Sequence, residues 1–294
     1  MWTQAAFDEG IGKDVLMTLY DSMVESYAPK SAAERLAVQQ EVMQLIALAG
    51  LARGGFFEKA AFYGGTCLHL FYGMERFSED MDFSLLEPDS SFDFESYFPA
   101  IKEEFALAGK EVEIQLKHKG RPSSVESAFL KESSEVFKIG FTTQKQIKVK
   151  IEVDIDPPPG FSTDQKLLVK PVSRWIRAYS IGDLFAGKVS AALFRAWRTR
   201  TKGRDWYDLE WYVRNGYACH LGHLVERCRE SAPETDLSSR EALVAAFRKR
   251  IATIDFKAAS DDVRPFLKDA SCLDIWSQEY FNSLVDMIKV ELSS

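Results

Sequence analysis

The chain has 294 residues, of which 46% are hydrophobic, so it is long enough to bury the core of one large domain or two modest ones. Its formal net charge of −7 at pH 7 argues against a protein that coats nucleic acid indiscriminately, although a local basic face remains compatible with RNA binding. The four cysteines are scattered without a C-x-x-C pair, a pattern that argues against a disulfide framework.

The N-terminal residues lack the basic and apolar segments of a signal peptide. No run of apolar residues approaches the roughly 18 that a membrane span requires. We therefore expect a soluble, cytoplasmic protein without a membrane partner.

Four elements are predicted before residue 75: helices over 13–27, 31–53 and 66–72, and a short strand over 59–63. Ser31 and Glu34 form a capping box at the start of the second helix. Gly64 and Gly65 turn the strand into the third helix, and glycines in such a turn let backbone N–H groups approach a phosphate.

A strand over 80–86 carries the first pair of carboxylates. Asp80, Asp82 and Ser84 alternate with apolar residues, so the two carboxylates leave the same face of the strand. Two anions held side by side favour a bound cation, and this pair predicts a Mg²⁺ site.

A helix over 92–108 and a strand over 112–117 follow, and the clearest strand of the chain spans 147–156. One face of that strand is aliphatic, whereas the other carries Glu152 and Asp154, an arrangement that repels itself unless cations or lysines compensate. Either residue can supply a third metal-binding carboxylate.

The rest of the chain is predicted to be wholly helical, with helices over 181–200, 204–215, 219–231, 239–251 and 272–291. The change from strands to helices predicts two domains, an N-terminal α/β core over 1–165 and a helical domain over 166–294. The fold class predicted is α+β, a mixed sheet with flanking helices followed by a helical C-terminal domain.

The first of these helices carries a cationic stripe. Between residues 188 and 204 there are six basic residues and no acidic one, and four of the six fall in one sector of the helix: Lys188, Arg195, Arg198 and Lys202. With Arg204, they predict a surface that attracts a triphosphate or an RNA backbone. Asp205 and Asp208 follow on one side of the next helix.

Four segments together resemble the AbiEii/MenT nucleotidyltransferase toxins of type IV toxin–antitoxin systems, within the DNA polymerase β-like superfamily. They are GGTCLHLFYGMERFSEDMDF, KIEVDID, DLFAGKVSAAL and RDWYDL, and the match spans about residues 62–213. The spacing R-x-S-x-D-x-D-F with the later lysine and R-D-x-x-D-L is fairly specific, whereas the glycine pair alone is not.

The resemblance implies roles for individual residues. Asp80 and Asp82, with Glu152 or Asp154, would hold two Mg²⁺ ions, and Asp208 would be a further acidic group of the active site. The residues implied in nucleotide binding are Gly64, Gly65, Thr66, Arg76, Ser78 and Lys188, and the cationic stripe would draw in the acceptor.

The resemblance also implies transfer of a nucleotide from an NTP to RNA, most plausibly a tRNA 3′ end, by a phage-defence toxin with a cognate antitoxin. Two alternatives remain open from the sequence. The acceptor is a small molecule or a protein hydroxyl, or the chain is a catalytically silent nucleotide- or RNA-binding module. The retained carboxylates argue against the silent module, because clustered anions repel both ligands.

Overall fold

The computed structural model describes residues 17–116, 134–142, 147–195, 202–229 and 232–292. Within these ranges, no helix is long and apolar enough to cross a membrane. The predicted acceptor-binding residue Arg198 and the first residues of the 13–27 helix lie outside the described residues.

Ten α-helices occur in the described parts of the chain: α1 Leu19–Glu25, α2 Ala32–Arg53, α3 Gly64–Tyr72, α4 Phe98–Leu107, α5 Ile181–Phe194, α6 Gly203–Arg214, α7 Leu221–Cys228, α8 Arg240–Ile251, α9 Phe256–Val263 and α10 Gln278–Val285. The described strands are β1 Ala60–Tyr63, β2 Asp80–Leu85, β3 Val112–Leu116, β4 Ser134–Phe141, β5 Lys148–Asp154, β6 Thr163–Leu168, β7 Arg174–Tyr179, β8 Ala218–His220 and β9 Lys289–Glu291.

Seven strands form one mixed sheet in the order β3-β4-β5-β2-β1-β7-β6. β2 is antiparallel to β1 and parallel to β5, and β1 is parallel to β7. The fold is therefore a mixed α/β arrangement, which confirms the fold class predicted from the sequence.

The two faces of the sheet differ as the alternation in the sequence predicts. Phe83 and Ile151 are fully buried on one face, where Phe83 meets the ring of Phe56 edge-on at 5.1 Å between centroids. The opposite face of the same strands carries Asp82 and Glu152. The polar face is thus the only one of the two that is open to a charged ligand along these strands.

Helix α2 confirms the predicted capping box at its start. The Ser31 hydroxyl accepts a hydrogen bond from the Glu34 N–H, and a Glu34 carboxylate oxygen accepts one from the backbone of Lys30. Helix α4 packs closely on α2, since a Cβ at Gly50 would lie 2.7 Å from the Cα of Ile101.

Several predicted elements were wrong. The region after residue 181 is not wholly helical, because β8 and β9 pair as a small parallel sheet. The helix predicted over 272–291 is a 3₁₀ turn, then α10 and then β9. The 92–108 helix begins with a 3₁₀ turn, and Pro99 lies in the first turn of α4, where a missing N–H costs nothing.

Strands β4, β6 and β7 were missed by the sequence analysis. The last two carry the seven-stranded sheet beyond residue 165, the boundary predicted between the domains. Their alternation is obscured because β6 is an edge strand with exposed residues on both faces. The division into two domains stays a prediction.

Candidate active site

The first part of the candidate site is a group of four charged residues that we call the carboxylate cluster: Asp80, Asp82, Lys150 and Glu152. In the parallel pair β2–β5, Asp80 lies opposite Lys150 and Asp82 lies opposite Glu152. Side chains opposite each other in register leave the same face of a sheet. Two segments about seventy residues apart therefore bring three carboxylates to one face.

Asp154, the alternative third carboxylate, lies one pair further along the sheet, opposite Ser84. Its Oδ1 accepts a hydrogen bond from the backbone N–H of Asp156 at 3.1 Å, and the Ser84 hydroxyl accepts one from Tyr179 at 2.9 Å. The register thus places Glu152, rather than Asp154, directly beside Asp82.

Among the carboxylates of the cluster, Asp82 has the least favourable environment for its ionised form. Burial raises the pKa of Asp82 to about 7, and the charges of Glu152 and Asp80 add to the shift. Lys150 and Lys202 only partly offset it. A further positive charge close to Asp82 would therefore stabilise its ionised form.

Lys150 is the cation present in the cluster, and it forms an ion pair with Glu152. Burial alone would lower the pKa of Lys150, but the bond to Glu152 and the charges of Asp80 and Asp82 raise it. Within the cluster, the ammonium group of Lys150 therefore offsets the charge of three carboxylates.

The residues present fit a divalent ion that a nucleotide helps to bind. In the described part of the chain, no three His, Cys, Asp or Glu side chains converge into a preformed metal site. Mg²⁺ commonly takes only one or two protein carboxylates and completes its shell with substrate phosphates and water. Asp80, Asp82 and Glu152 supply carboxylate oxygens of the kind that such an ion uses, on one face of the sheet.

The glycine pair lies against the same carboxylate. Gly64 begins α3 with a φ of +81°, and a Cβ there would collide with Oδ2 of Asp82. A Cβ at Gly65 would lie 2.6 Å from Nη2 of Arg76 and 3.0 Å from Oγ of Ser78. Both positions therefore require glycine for close packing.

Thr66 and Gln44 hold the segment that precedes the carboxylates. The Thr66 hydroxyl donates to the backbone carbonyl of Asp80. The Gln44 amide donates to the carbonyls of Ser78 and Glu79, at 2.9 and 3.2 Å. Thr66 is thus a support for β2, while the Ser78 side chain lies beside Gly65 at the start of α3.

A second charged group, which we call the ion-pair cluster, comprises Arg76, Lys188, Asp205 and Asp208. Arg76 binds both carboxylate oxygens of Asp208, with Nε–Oδ1 at 2.5 Å and Nη2–Oδ2 at 2.7 Å, and both side chains are buried. Lys188 lies 2.8 Å from Oδ1 of Asp205 and 2.7 Å from Oδ2 of Asp208. Two predicted phosphate ligands are thus already paired.

The charges in this cluster are mutually compensated. Although burial opposes it, Arg76 and Lys188 lower the pKa of Asp208. Lys188, with Arg195 and Lys202, lowers the pKa of Asp205 against the same opposition. Both carboxylates are therefore held ionised.

The other described residues of the cationic stripe, Arg195, Lys202 and Arg204, also lie close to charged protein groups. Arg195 lies 3.6 Å from Oδ2 of Asp205. Arg204 lies 3.5 Å from Oε2 of Glu79 and stacks its guanidinium over the Phe266 ring at 4.3 Å. Burial, with nearby cations, lowers the pKa of Lys202 to about 8.

The sequence analysis missed two features of the site. Lys150 shares a strand face with Glu152, so strand alternation alone would have found it. The second is a row of aromatic rings in which Tyr179 stacks on Tyr63 at 5.3 Å and on Phe161 at 4.3 Å between centroids. These rings come from distant segments, and no local pattern signals their contact.

Comparison with protein families gives one match that covers most of the chain. The family described as "Nucleotidyl transferase AbiEii toxin, Type IV TA system" matches residues 46–286. That range includes every member of the carboxylate cluster and of the ion-pair cluster. A comparison with curated proteins found no match.

Two solved structures are similar to the chain. JHP933 from Helicobacter pylori is 17% identical, with a TM-score of 0.51, over 85% of this chain and 90% of that one. MenT4, a nucleotidyltransferase toxin from Mycobacterium tuberculosis H37Rv, is 17% identical, with a TM-score of 0.49, over 91% of this chain and 99% of that one. At this identity the likeness to JHP933 supports the fold alone.

Proposed function

The chain belongs to the AbiEii family of nucleotidyl transferase toxins of type IV toxin–antitoxin systems, and from that premise we propose that it transfers a nucleotide from an NTP to RNA. The acceptor proposed is the 3′ end of a tRNA, and pyrophosphate leaves. The family implies an antitoxin partner as well as the NTP. The single observation that carries the proposal is the register of β2 and β5, which sets Asp82 beside Glu152. The negative charge of these carboxylates is only partly offset by nearby lysines.

Asp80, Asp82 and Glu152 are the residues that would hold Mg²⁺. When bound, such an ion activates a hydroxyl nucleophile and neutralises charge on the phosphates of the leaving group. Asp82 gains most from it, because its buried carboxylate has the least compensated charge in the cluster.

The residues around the carboxylates would orient the nucleotide. Gly64 and Gly65 leave the first turn of α3 without side chains, so that its N–H groups are accessible to a phosphate. The Ser78 hydroxyl, next to Gly65, adds a donor at the same place. Catalysis of this kind depends chiefly on positioning and on electrostatic stabilisation.

We assign a different role to Arg76 and Asp208. Because each satisfies the other inside the protein, they fix the position of Lys188 rather than contact phosphate themselves. Lys188 remains 15% exposed, and its ammonium group, which Asp205 and Asp208 hold in place, would also contact a triphosphate oxygen.

The test is incubation of the purified protein with Mg²⁺, total tRNA and each labelled NTP in turn. Label is expected in RNA, and Asp82→Asn is expected to abolish it. Label that appears only in protein or in a small molecule would show that the acceptor is not RNA. Equal labelling by wild type and Asp82→Asn would disprove the assigned site. Expression with and without the adjacent antitoxin gene tests the toxin role through growth arrest.

A further inference from the structure

Those residues of the cationic stripe that the structure describes are largely engaged within the protein. Arg195 pairs with Asp205, Arg204 pairs with Glu79, and Lys202 is mostly buried. An RNA acceptor needs several cations to bind its phosphates, since those contacts supply most of the affinity. We therefore expect the cations that bind the body of the RNA to lie on another surface of the protein.

The hairpin of β6 and β7, residues 163–179, is a basic segment in an acidic chain. It has one acidic residue, Asp164, and four basic ones: Lys166, Lys170, Arg174 and Arg177. Lys166 lies 3.5 Å from Asp164 and over the Tyr72 ring.

The other three cations of the hairpin have no ion-pair partner among the described residues. The Nε atoms of Arg174 and Arg177 are buried without a hydrogen-bond partner there. Lys170 is exposed in the turn between the strands. Lys170 is therefore accessible to a ligand, and no described carboxylate neutralises the half-buried Arg177.

The same hairpin displays an aromatic platform. Trp175 is 64% exposed, and Leu167, opposite it in the strand register, is 47% exposed. An indole presented on an open sheet is a surface on which a nucleobase stacks, and stacking tolerates any base sequence. Exposed tryptophan beside unpaired arginine is the combination typical of RNA-binding sheets.

The platform lies on the catalytic face of the sheet. Ala178 is opposite Phe62, and Phe62 is opposite Phe83, so the alternate residues Trp175 and Asp82 leave the other face together. Two strand spacings sideways and four residues along place their Cα atoms about 16 Å apart. One RNA segment spans that distance easily.

A cavity of about 660 Å³ lies on this face, lined by Leu86, Arg177 and the segment 156–163. Phe161 in its wall stacks on Tyr179, which belongs to the aromatic row next to Asp82. Glu87 also lines the cavity, so the phosphate contacts must come from its hairpin side.

We propose that the β6–β7 hairpin is the docking surface for the RNA acceptor. Trp175 stacks on a base, and Lys170 and Arg177 contact phosphates, so that the 3′ end is directed along the sheet towards Asp82. The acceptor's identity as RNA rests on the proposed function, whereas the docking itself is measurable without any reaction.

The experiment is fluorescence anisotropy of labelled tRNA, without NTP, titrated with wild type, Trp175→Ala and Lys170→Ala. Trp175→Ala is expected to weaken binding by about tenfold. Lys170→Ala is expected to lower the slope of log affinity against log salt by about one. The matched controls are Met287→Ala and Lys249→Ala, which remove an equally exposed apolar side chain and an exposed lysine elsewhere; both are expected to bind like wild type.

Wild-type affinity in both hairpin variants would overturn the inference, as would an equal loss in the controls. If the hairpin variants bind RNA normally but abolish self-association seen by light scattering, the surface is a protein interface and the inference is wrong. Hairpin-dependent RNA binding in a wild-type protein that transfers no nucleotide would disprove the proposed function and leave the docking surface standing.

Discussion

The carboxylate cluster and the ion-pair cluster differ in how their charges are balanced. In the first, one lysine serves three carboxylates, and burial with like charges raises the pKa of Asp82 to about 7. In the second, two cations meet two carboxylates, and the pKa values of Asp205 and Asp208 are lowered despite burial. The sequence presents both as equivalent parts of a site.

The difference separates ligand binding from support. A buried charge without compensation is costly, and a fold keeps it where a ligand supplies the missing partner. A compensated cluster has no such vacancy, so its residues serve the site by fixing the position of others. The comparison therefore supports the proposed metal binding by the three carboxylates of the first cluster and the proposed positioning role of Arg76, Asp205 and Asp208.

The largest effect is expected on catalysis. Glu152→Gln and Asp82→Asn should each lower the rate of nucleotide transfer by about 10³-fold, because each removes a carboxylate that would hold the Mg²⁺ ions on which electrostatic stabilisation of the transition state depends. Asp154→Asn, one pair further along the same strands, should lower it by about tenfold, as for an outer-shell group. Initial rates of label incorporation measure all three, and the reverse order for Glu152 and Asp154 would move the third ligand to Asp154.

The ion-pair cluster is expected to dominate stability. Asp208→Ala leaves buried Arg76 without its partner and should lower the free energy of unfolding by about 3–5 kcal/mol. The control Asp286→Ala breaks an exposed pair with Arg248 and should cost at most about 1 kcal/mol. Urea denaturation measures both. An Asp208→Ala protein that is as stable as wild type yet inactive would make Asp208 a catalytic residue.

The pH dependence of stability sharpens the comparison further. Asp82 has a pKa of about 7 in the folded state and about 3.9 when unfolded, so the folded state binds more protons in between. Without metal, the contribution of Asp82 to the free energy of unfolding should therefore fall as pH rises from about 4 to about 7 and then level off, and the difference between wild type and Asp82→Asn isolates it.

Asp82→Asn removes that loss of stability. In EDTA at pH 8, this variant should be more stable than wild type by about 2–4 kcal/mol. Added Mg²⁺ should raise the melting temperature of wild type and not that of the variant. Thermal unfolding of both proteins across pH measures both effects, and a difference in stability between them that does not grow over this interval would contradict the assigned environment of Asp82.

The smallest effect concerns the close contact at the start of α3. Gly64→Ala should cost about 1–2 kcal/mol from positive φ alone, with an added cost from the collision with Asp82. Gly73→Ala is the matched control, because Gly73 has a φ of +76° and nothing within 4 Å of its Cβ position. Equal costs for the two variants would show that Gly64 does not constrain the carboxylate.

The strand pattern of the site was predictable because alternation is a local property. Asp80 and Asp82 on β2, and Glu152 on β5, follow from period-two spacing. Their pairing was an expectation that the register of β2 and β5 confirms. The preference for Glu152 over Asp154 could not be derived, since register depends on contacts between distant segments.

The charge balance was the part that the sequence concealed. The helical periodicity that groups Lys188 with Arg195 does not indicate which acidic groups contact them. Asp208 was predicted as an acidic residue of the active site, with Asp205 beside it on the helix, and in the structure both carboxylates pair with Lys188. The exposed Trp175 was missed for a related reason, because the edge strand beside it lacks clean alternation.

The order of strands in the sheet has a consequence for synthesis of the toxin. β2 pairs with β5 and β1 pairs with β7, so the carboxylate cluster cannot assemble until the chain has been translated beyond residue 154. Lys188 acquires its partners only after α6 has been made. Ribosome-bound chains that end after β4 contain Asp80 and Asp82 without Glu152, and they are therefore expected to transfer no nucleotide.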